Sequence, residues 1–170
     1  RRSRGETVVR LIQVGSVRRS WQFATSADTV GCVRPPAELV DAFRADGLKV
    51  TPQRQLLFRL LHLNTVHPTA DELYAAASAE MPGISLRTVY QTLTDLTAMG
   101  ELHQVSFDTG PAHFDPNVAD HHHAVCDACG TIIDVYVDGA DQLAINGLDG
   151  FRPAVASIVF HGSCAECAGP

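Results

Sequence analysis

The residues of this chain specify an α+β protein, a winged helix-turn-helix followed by a smaller strand-bearing domain that a metal site closes. Three observations lead there. Between Pro35 and Gly100, apolar residues recur at helical intervals in four short runs divided by cap and glycine signals. Beyond Gly100 the pattern changes to alternation around Asp108-Thr109-Gly110-Pro111, a turn between two strands. Two close cysteine pairs, Cys126-Asp-Ala-Cys129 and Cys164-Ala-Glu-Cys167, have the spacing of thiolate metal ligands.

The first helix follows Pro35 and Pro36, places Leu39, Val40 and Phe43 at helical intervals, and stops at Gly47. Thr51 caps the second, with Pro52 at its first position and a stripe of Leu56, Leu57, Leu60 and Leu61. A third helix starts at Thr69, where Glu72 completes a capping box, and buries Leu73, Ala76 and Ala77. Gly83 breaks the chain, Ser85 caps a fourth helix over Leu86 to Met99, and Gly100 ends it. Leu102, Gln104 and Phe107 then lead into the turn, and Ala112 to Asp115 return. A hairpin directly behind a helix-turn-helix is a wing, and in that arrangement the fourth helix enters the major groove of DNA.

A two-residue gap lets one tight turn aim both thiolates of a pair at a common point, and two such pairs make a tetrahedral four-thiolate shell for structural Zn2+ on Cys126, Cys129, Cys164 and Cys167. The 34 residues between Cys129 and Cys164 leave room for a strand, a helix and a return strand, so the site staples a domain rather than a loop. A pair of disulfides is the competing arrangement. It suits a short secreted chain, whereas this one shows no apolar signal segment and would leave Cys32 unmatched.

The 170 residues suffice for one substantial core or two small ones, and 45% hydrophobic content is ordinary for a globular protein. No apolar run approaches the roughly 20 residues of a bilayer span, so a cytoplasmic protein without a membrane partner is expected. The net charge of -6 conceals an asymmetry: residues 1–34 carry seven arginines against Glu6 and Asp28, while the remainder holds six basic and seventeen acidic residues. An acidic body suits nucleic acid only with a local basic face or bound cations. Residues 1–34 lack a helical or strand period and read as a disordered basic arm, a targeting segment, or sequence translated upstream of the true start, the last being preferred. The winged-helix domain is then expected over 35–115 and the second domain over 116–170.

The first turns of the fourth helix carry Ser85, Arg87, Thr88, Tyr90 and Gln91, which can bond phosphates and base edges: arginine to guanine, glutamine to adenine. Arg54, at the start of the second helix, is placed to reach a phosphate or a narrow minor groove. An ordinary solvated helix face would have the same composition.

Thr51-Pro52-Gln53-Arg54, His67 to Tyr74, Thr88-Val89-Tyr90, His121-His122-His123 and Cys126-Asp-Ala-Cys129-Gly130 together resemble the ferric uptake regulator (Fur) superfamily of metal-dependent repressors, over roughly residues 36 to 168. The resemblance implies a C-terminal α/β dimerisation domain and a homodimer on a palindromic double-stranded DNA operator. It also implies a regulatory site on His67, Asp115, His121, His123 and Asp134 that matches the peroxide-sensing branch. A strand through Asp120 to Cys126 puts His121 and His123 on one face and Asp120 and His122 on the other. Three imidazoles and two carboxylates are a mixed N/O set suited to Fe2+ or Mn2+. In that branch ferrous iron reacts with hydrogen peroxide and a ligand histidine is oxidised, here His67 or His121, which releases DNA. Asp at 134 fits that branch, since iron-uptake members carry Glu there; control by iron without peroxide sensing is the alternative. Asp120, His122 and Asp141 fall where relatives hold a further metal, but the histidine expected as its fourth ligand is Ala156. His62, His103, His113 and His161 carry no motif. Two other classes are weaker: a zinc hydrolase, for which five ligands leave little room for substrate, and a rubredoxin-like electron carrier. The chain is therefore expected not to be an enzyme.

Overall fold

The computed structural model describes residues 33–107, 110–139, 146–152 and 156–169. Residues 1–32, Cys32 among them, and Asp108, Thr109 and Asp141 lie outside them. The chain divides into two compact units, covering 33–119 and 120–169 among the described residues. The first unit takes in 116–119, beyond the boundary expected at Asp115, because backbone bonds hold this stretch: Val33 N–H donates to the Pro116 carbonyl (2.6 Å) and Asn117 N–H to the Asp115 carboxylate (2.8 Å).

In the first unit the helices are α1 (Pro36–Ala45), α2 (Pro52–Leu61), α3 (Ala70–Glu80) and α4 (Leu86–Ala98). Their starts follow the caps. The Thr51 hydroxyl accepts from Arg54 N–H, and Thr69 and Glu72 bond reciprocally at 3.2 and 2.8 Å as a capping box. Ser85 accepts from Thr88 N–H at 3.1 Å. Gly47 and Gly100 sit at φ 72° and 74°, the left-handed region that lets the chain leave α1 and α4 at little cost. One core joins the helices: Leu39, Phe43, Phe58, Leu73, Val89, Leu93 and Leu96 are buried, with the Phe43 and Phe58 rings edge to face at 4.7 Å. Strands β1 (His103–Val105) and β2 (His113–Asp115) form the wing hairpin, with His103 opposite Asp115.

The second unit is a three-stranded sheet of β3 (His122–Cys126), β4 (Ile132–Val135) and β5 (Val159–Gly162) in the order β4-β3-β5, antiparallel on one side and parallel on the other. Strand β3 begins two residues later than the expected 120–126 strand. Between β3 and β4 the chain reverses at Gly130, φ 69°, whose N–H donates to the Cys126 carbonyl at 2.8 Å. That turn carries the first cysteine pair. A second turn after β5, with Cys167 N–H donating to the Cys164 carbonyl (3.0 Å), carries the other.

Candidate metal centres and nucleic-acid interface

Parallel pairing of β3 with β5 sets Cys126 opposite Gly162 and brings the two cysteine turns to one end of the sheet. Asp127 N–H donates to the Gly162 carbonyl at 2.7 Å, locking one turn to the other. The four Sγ atoms of Cys126, Cys129, Cys164 and Cys167 lie within 4.8 Å of one another, with Cys129 and Cys164 at 3.7 Å. Two thiolates of a tetrahedral zinc site stand about 3.8 Å apart, so the donor set fits zinc. None of the four is in a disulfide.

Backbone dipoles prepare part of this site. Cys164 N–H donates to Cys126 Sγ at 3.3 Å and is the first cause of a thiol pKa lowered to about 6. Cys129 is lowered chiefly by the Thr131 hydroxyl, 3.1 Å away. Cys167 is pushed up to about 12 because its thiol shares hydrogen bonds with Cys164 and then Cys129, so forming its thiolate would crowd charge against theirs. A divalent cation removes that conflict, since a coordinating thiol is deprotonated outright.

The expected N/O ligands occur in both units. In the first unit, His67 precedes the α3 cap and Asp115 ends β2. The two side chains are almost fully buried, and His67 Nε2 is 3.5 Å from Asp115 Oδ1. Three contacts hold the His67 segment to β2: the Thr69 to His113 bridge, Phe114 N–H donating to the Pro68 carbonyl at 2.8 Å, and His113 Nδ1–H donating to the His67 carbonyl at 2.8 Å. Sequence reasoning passes over His113. The available signal is its position two residues before Asp115, which puts both on one face of a strand.

In the second unit, His121 directly precedes β3 and lies beside His123, with Asp134 opposite His123 on β4 and on the same face of the sheet. His121 Nε2 is 3.0 Å from His123 Nε2 and 3.6 Å from Asp134 Oδ1. Two donors at right angles, each ~2.1 Å from one ion, are about 3 Å apart, so these groups fit adjacent positions on a divalent cation. Tyr136 continues this face, its ring 6.2 Å from that of His121. On the opposite face His122 Nδ1 accepts a 3.4 Å contact from Ile158 N–H, and Asp120 is exposed. Asp141, the third member of that set, lies outside the described residues, and Ala156 is exposed. Among the described residues, Asp120 and His122 belong to neither cluster of metal-ligating groups.

On α4, Arg87, Tyr90 and Gln91 are exposed, while the Ser85 and Thr88 hydroxyls meet at 2.9 Å within the cap. Arg54 corrects the sequence reading. Its guanidinium turns inward, with Nη2 2.5 Å from Asp95 Oδ2, its Cζ 5.1 Å from the Phe43 ring centroid, and its side chain only 13% exposed. A charge so matched is not presented to phosphate. Asp95 also accepts from Gln91 Nε2 at 2.8 Å.

The family model described as the ferric uptake regulator family matches residues 45–160. The chain belongs to that family. Among relatives, it is 35% identical to a peroxide-responsive repressor PerR of Staphylococcus epidermidis, covering 76% of this chain and 88% of the relative. It is 32% identical to a peroxide operon regulator of Bacillus subtilis, covering 76% and 91%. A solved ferric uptake regulator from Pseudomonas aeruginosa, with manganese, superposes with TM-score 0.57 at 28% identity over 74% of this chain and 96% of that one. Membership of the ferric uptake regulator family accounts for the pairing of a winged helix with a metal-bearing sheet. No helix among the described residues is long and apolar enough to cross a membrane.

Proposed function

We infer that this chain is a metal-dependent transcriptional repressor that senses peroxide. The observation that carries the inference is the convergence of His121, His123 and Asp134 on one face of the sheet, an N/O donor set separate from the four thiolates, in a chain similar to peroxide-responsive repressors. Imidazole and carboxylate oxygen suit Fe2+ or Mn2+, whereas the four-cysteine set suits a structural Zn2+. His67 and Asp115 of the first unit complete the regulatory ligand set. Asp120 and His122 with Asp141 would provide a further, weaker site.

The residues divide the work. Fe2+ held by these ligands would activate hydrogen peroxide beside the imidazoles. One peroxide oxygen would be inserted into a ring C–H of His67 or His121 while the other leaves as water, and the nitrogen lone pair that holds the ion would be drawn into the new carbonyl. Ligation would favour the state that binds DNA, and loss of a ligand would release it. On the DNA side α4 is the recognition helix, presenting Ser85, Arg87, Thr88, Tyr90 and Gln91 to the major groove, in a homodimer whose symmetry matches a palindromic operator. The dimer is supported by the sheet face opposite His123. There Ile133 and Phe160 flank Ala124 and are 49% and 45% exposed, an apolar row that a second copy would cover. The place of work is the cytoplasm.

Mass analysis of the Fe-loaded protein after low hydrogen peroxide tests the sensing step. A gain of one oxygen mapped to His67 or His121, with loss of DNA binding, is expected; a reversible iron response without that mark would assign iron control instead. Metal analysis of the Mn-loaded protein counts the sites, with one zinc and one manganese per chain expected from the two main sites and manganese above one from the weaker site.

A further inference from the structure

We propose that Arg54 and Asp95 are positioning residues that fix the side-chain amide of Gln91 with its oxygen and one N–H facing outward, committing the recognition helix to adenine. The proposal rests on the reading of α4 as the DNA-contacting helix.

The contacts form an ordered series. The Arg54 backbone N–H is held by the Thr51 cap at 3.3 Å, and its guanidinium lies over the fully buried Phe43 ring. Arg54 Nη2 donates to Asp95 Oδ2 at 2.5 Å, and the two side chains are 13% and 12% exposed. The remaining carboxylate oxygen, Asp95 Oδ1, accepts from Gln91 Nε2 at 2.8 Å. With both oxygens engaged and the carboxylate walled in, Asp95 has a fixed place one helical turn from Gln91.

An exposed glutamine ordinarily samples both orientations of its amide. Here one orientation is excluded by chemistry, because a carboxylate paired with arginine only accepts hydrogen bonds and the atom facing it must be nitrogen. That leaves Oε1 and the second N–H of Gln91 for an outside partner, in a fixed order. Among base edges in the major groove, adenine offers the matching pair, the N6 donor beside the N7 acceptor; guanine presents two acceptors and would repel Oε1. Holding the amide in place before contact also lowers the side-chain entropy lost on binding.

A glutamine and an aspartate one turn apart stabilise a helix on their own. That role would affect binding to all sequences equally, so the test reads selectivity. The Mn-loaded full chain is used to select from a pool of random duplexes, alongside three variants: Gln91→Ala, Asp95→Asn, and the double change Arg54→Met with Asp95→Leu. The double change removes the pair without leaving a buried charge unmatched, and Asp95→Asn keeps the shape but, with its oxygen taken by Arg54, turns an N–H toward Gln91 and so reverses the amide. The parent is expected to select adenine at one position of each half-site by about tenfold. All three variants are expected to lose that preference and no other, with affinity for unrelated duplex unchanged in Asp95→Asn and in the double variant. Retention of the adenine preference in Asp95→Asn or in the double variant, with its loss in Gln91→Ala, overturns the positioning role alone. If Gln91→Ala selects as the parent does, the assignment of Gln91 to the groove falls and this proposal with it. A parent that selects no sequence would overturn the DNA-binding reading itself.

Discussion

His113 carries no motif, yet it donates from Nδ1 to the backbone carbonyl of His67, a proposed metal ligand. A bond to the backbone of a ligand residue helps fix where its imidazole sits, as bonds to the ring itself do, and loss of the latter typically costs roughly 10- to 100-fold in affinity. His113→Phe is therefore expected to weaken Mn2+ binding about tenfold, read by isothermal titration, while thermal unfolding of the metal-free protein changes little. Equal affinity in the variant would leave the strand bridge alone as the support of His67. His121→Ala acts more directly, removing an imidazole 3.0 Å from that of His123; operator affinity in saturating Mn2+ should fall to that of the chelator-treated parent in a gel-shift titration. The closeness of His121 and His123 was legible in the sequence because residues two apart on an extended chain point the same way. Arg54 was misread because its partner, Asp95, is 41 residues away, and no local pattern shows that an arginine points inward.

Helix starts were the most legible part of the fold, since a cap is decided by residues within one turn of each other. Thr69 and Glu72 bond reciprocally as their spacing implies, and this cap opens α3 directly after His67. Thr69→Ala should lower unfolding free energy by about 1 kcal/mol, seen as a shift in the urea midpoint with an unchanged slope; no shift would mean that tertiary packing alone fixes the start of α3. The strands were less legible. The hairpin of β1 and β2 followed from its turn and alternation, but the pairing of β5 beside β3 joins residues that lie far apart in sequence, and only the cysteine spacing hinted that they meet. The unit boundary after Ala119 was hidden for a related reason, because the bond from Val33 to Pro116 is non-local.

The two units hold their structure by different means. The first has an apolar core drawn from all four helices and the wing, with no cysteine in it among the described residues. The second has fewer buried apolar residues, chiefly Cys126 and Ile132 among those described, and closes on its thiolates. Removing zinc is thus expected to abolish hydrogen-exchange protection of β3 to β5 while α1 to α4 keep theirs; uniform loss across both units would contradict this division. Association is the other property of the assembled protein. Phe160→Glu places a charge in the exposed apolar row with Ile133 and should yield monomers in sedimentation velocity, with the far-ultraviolet circular dichroism retained; a dimer that persists would move the interface elsewhere.

The parallel neighbours β3 and β5 cannot be joined by a tight reversal, so the polypeptide between the cysteine turns must close as one large loop before any bond between these two strands rewards it. A cation that grips both ends offsets that entropy, which makes refolding kinetics sensitive to free zinc. The supply of that ion would then govern how quickly a newly made repressor matures.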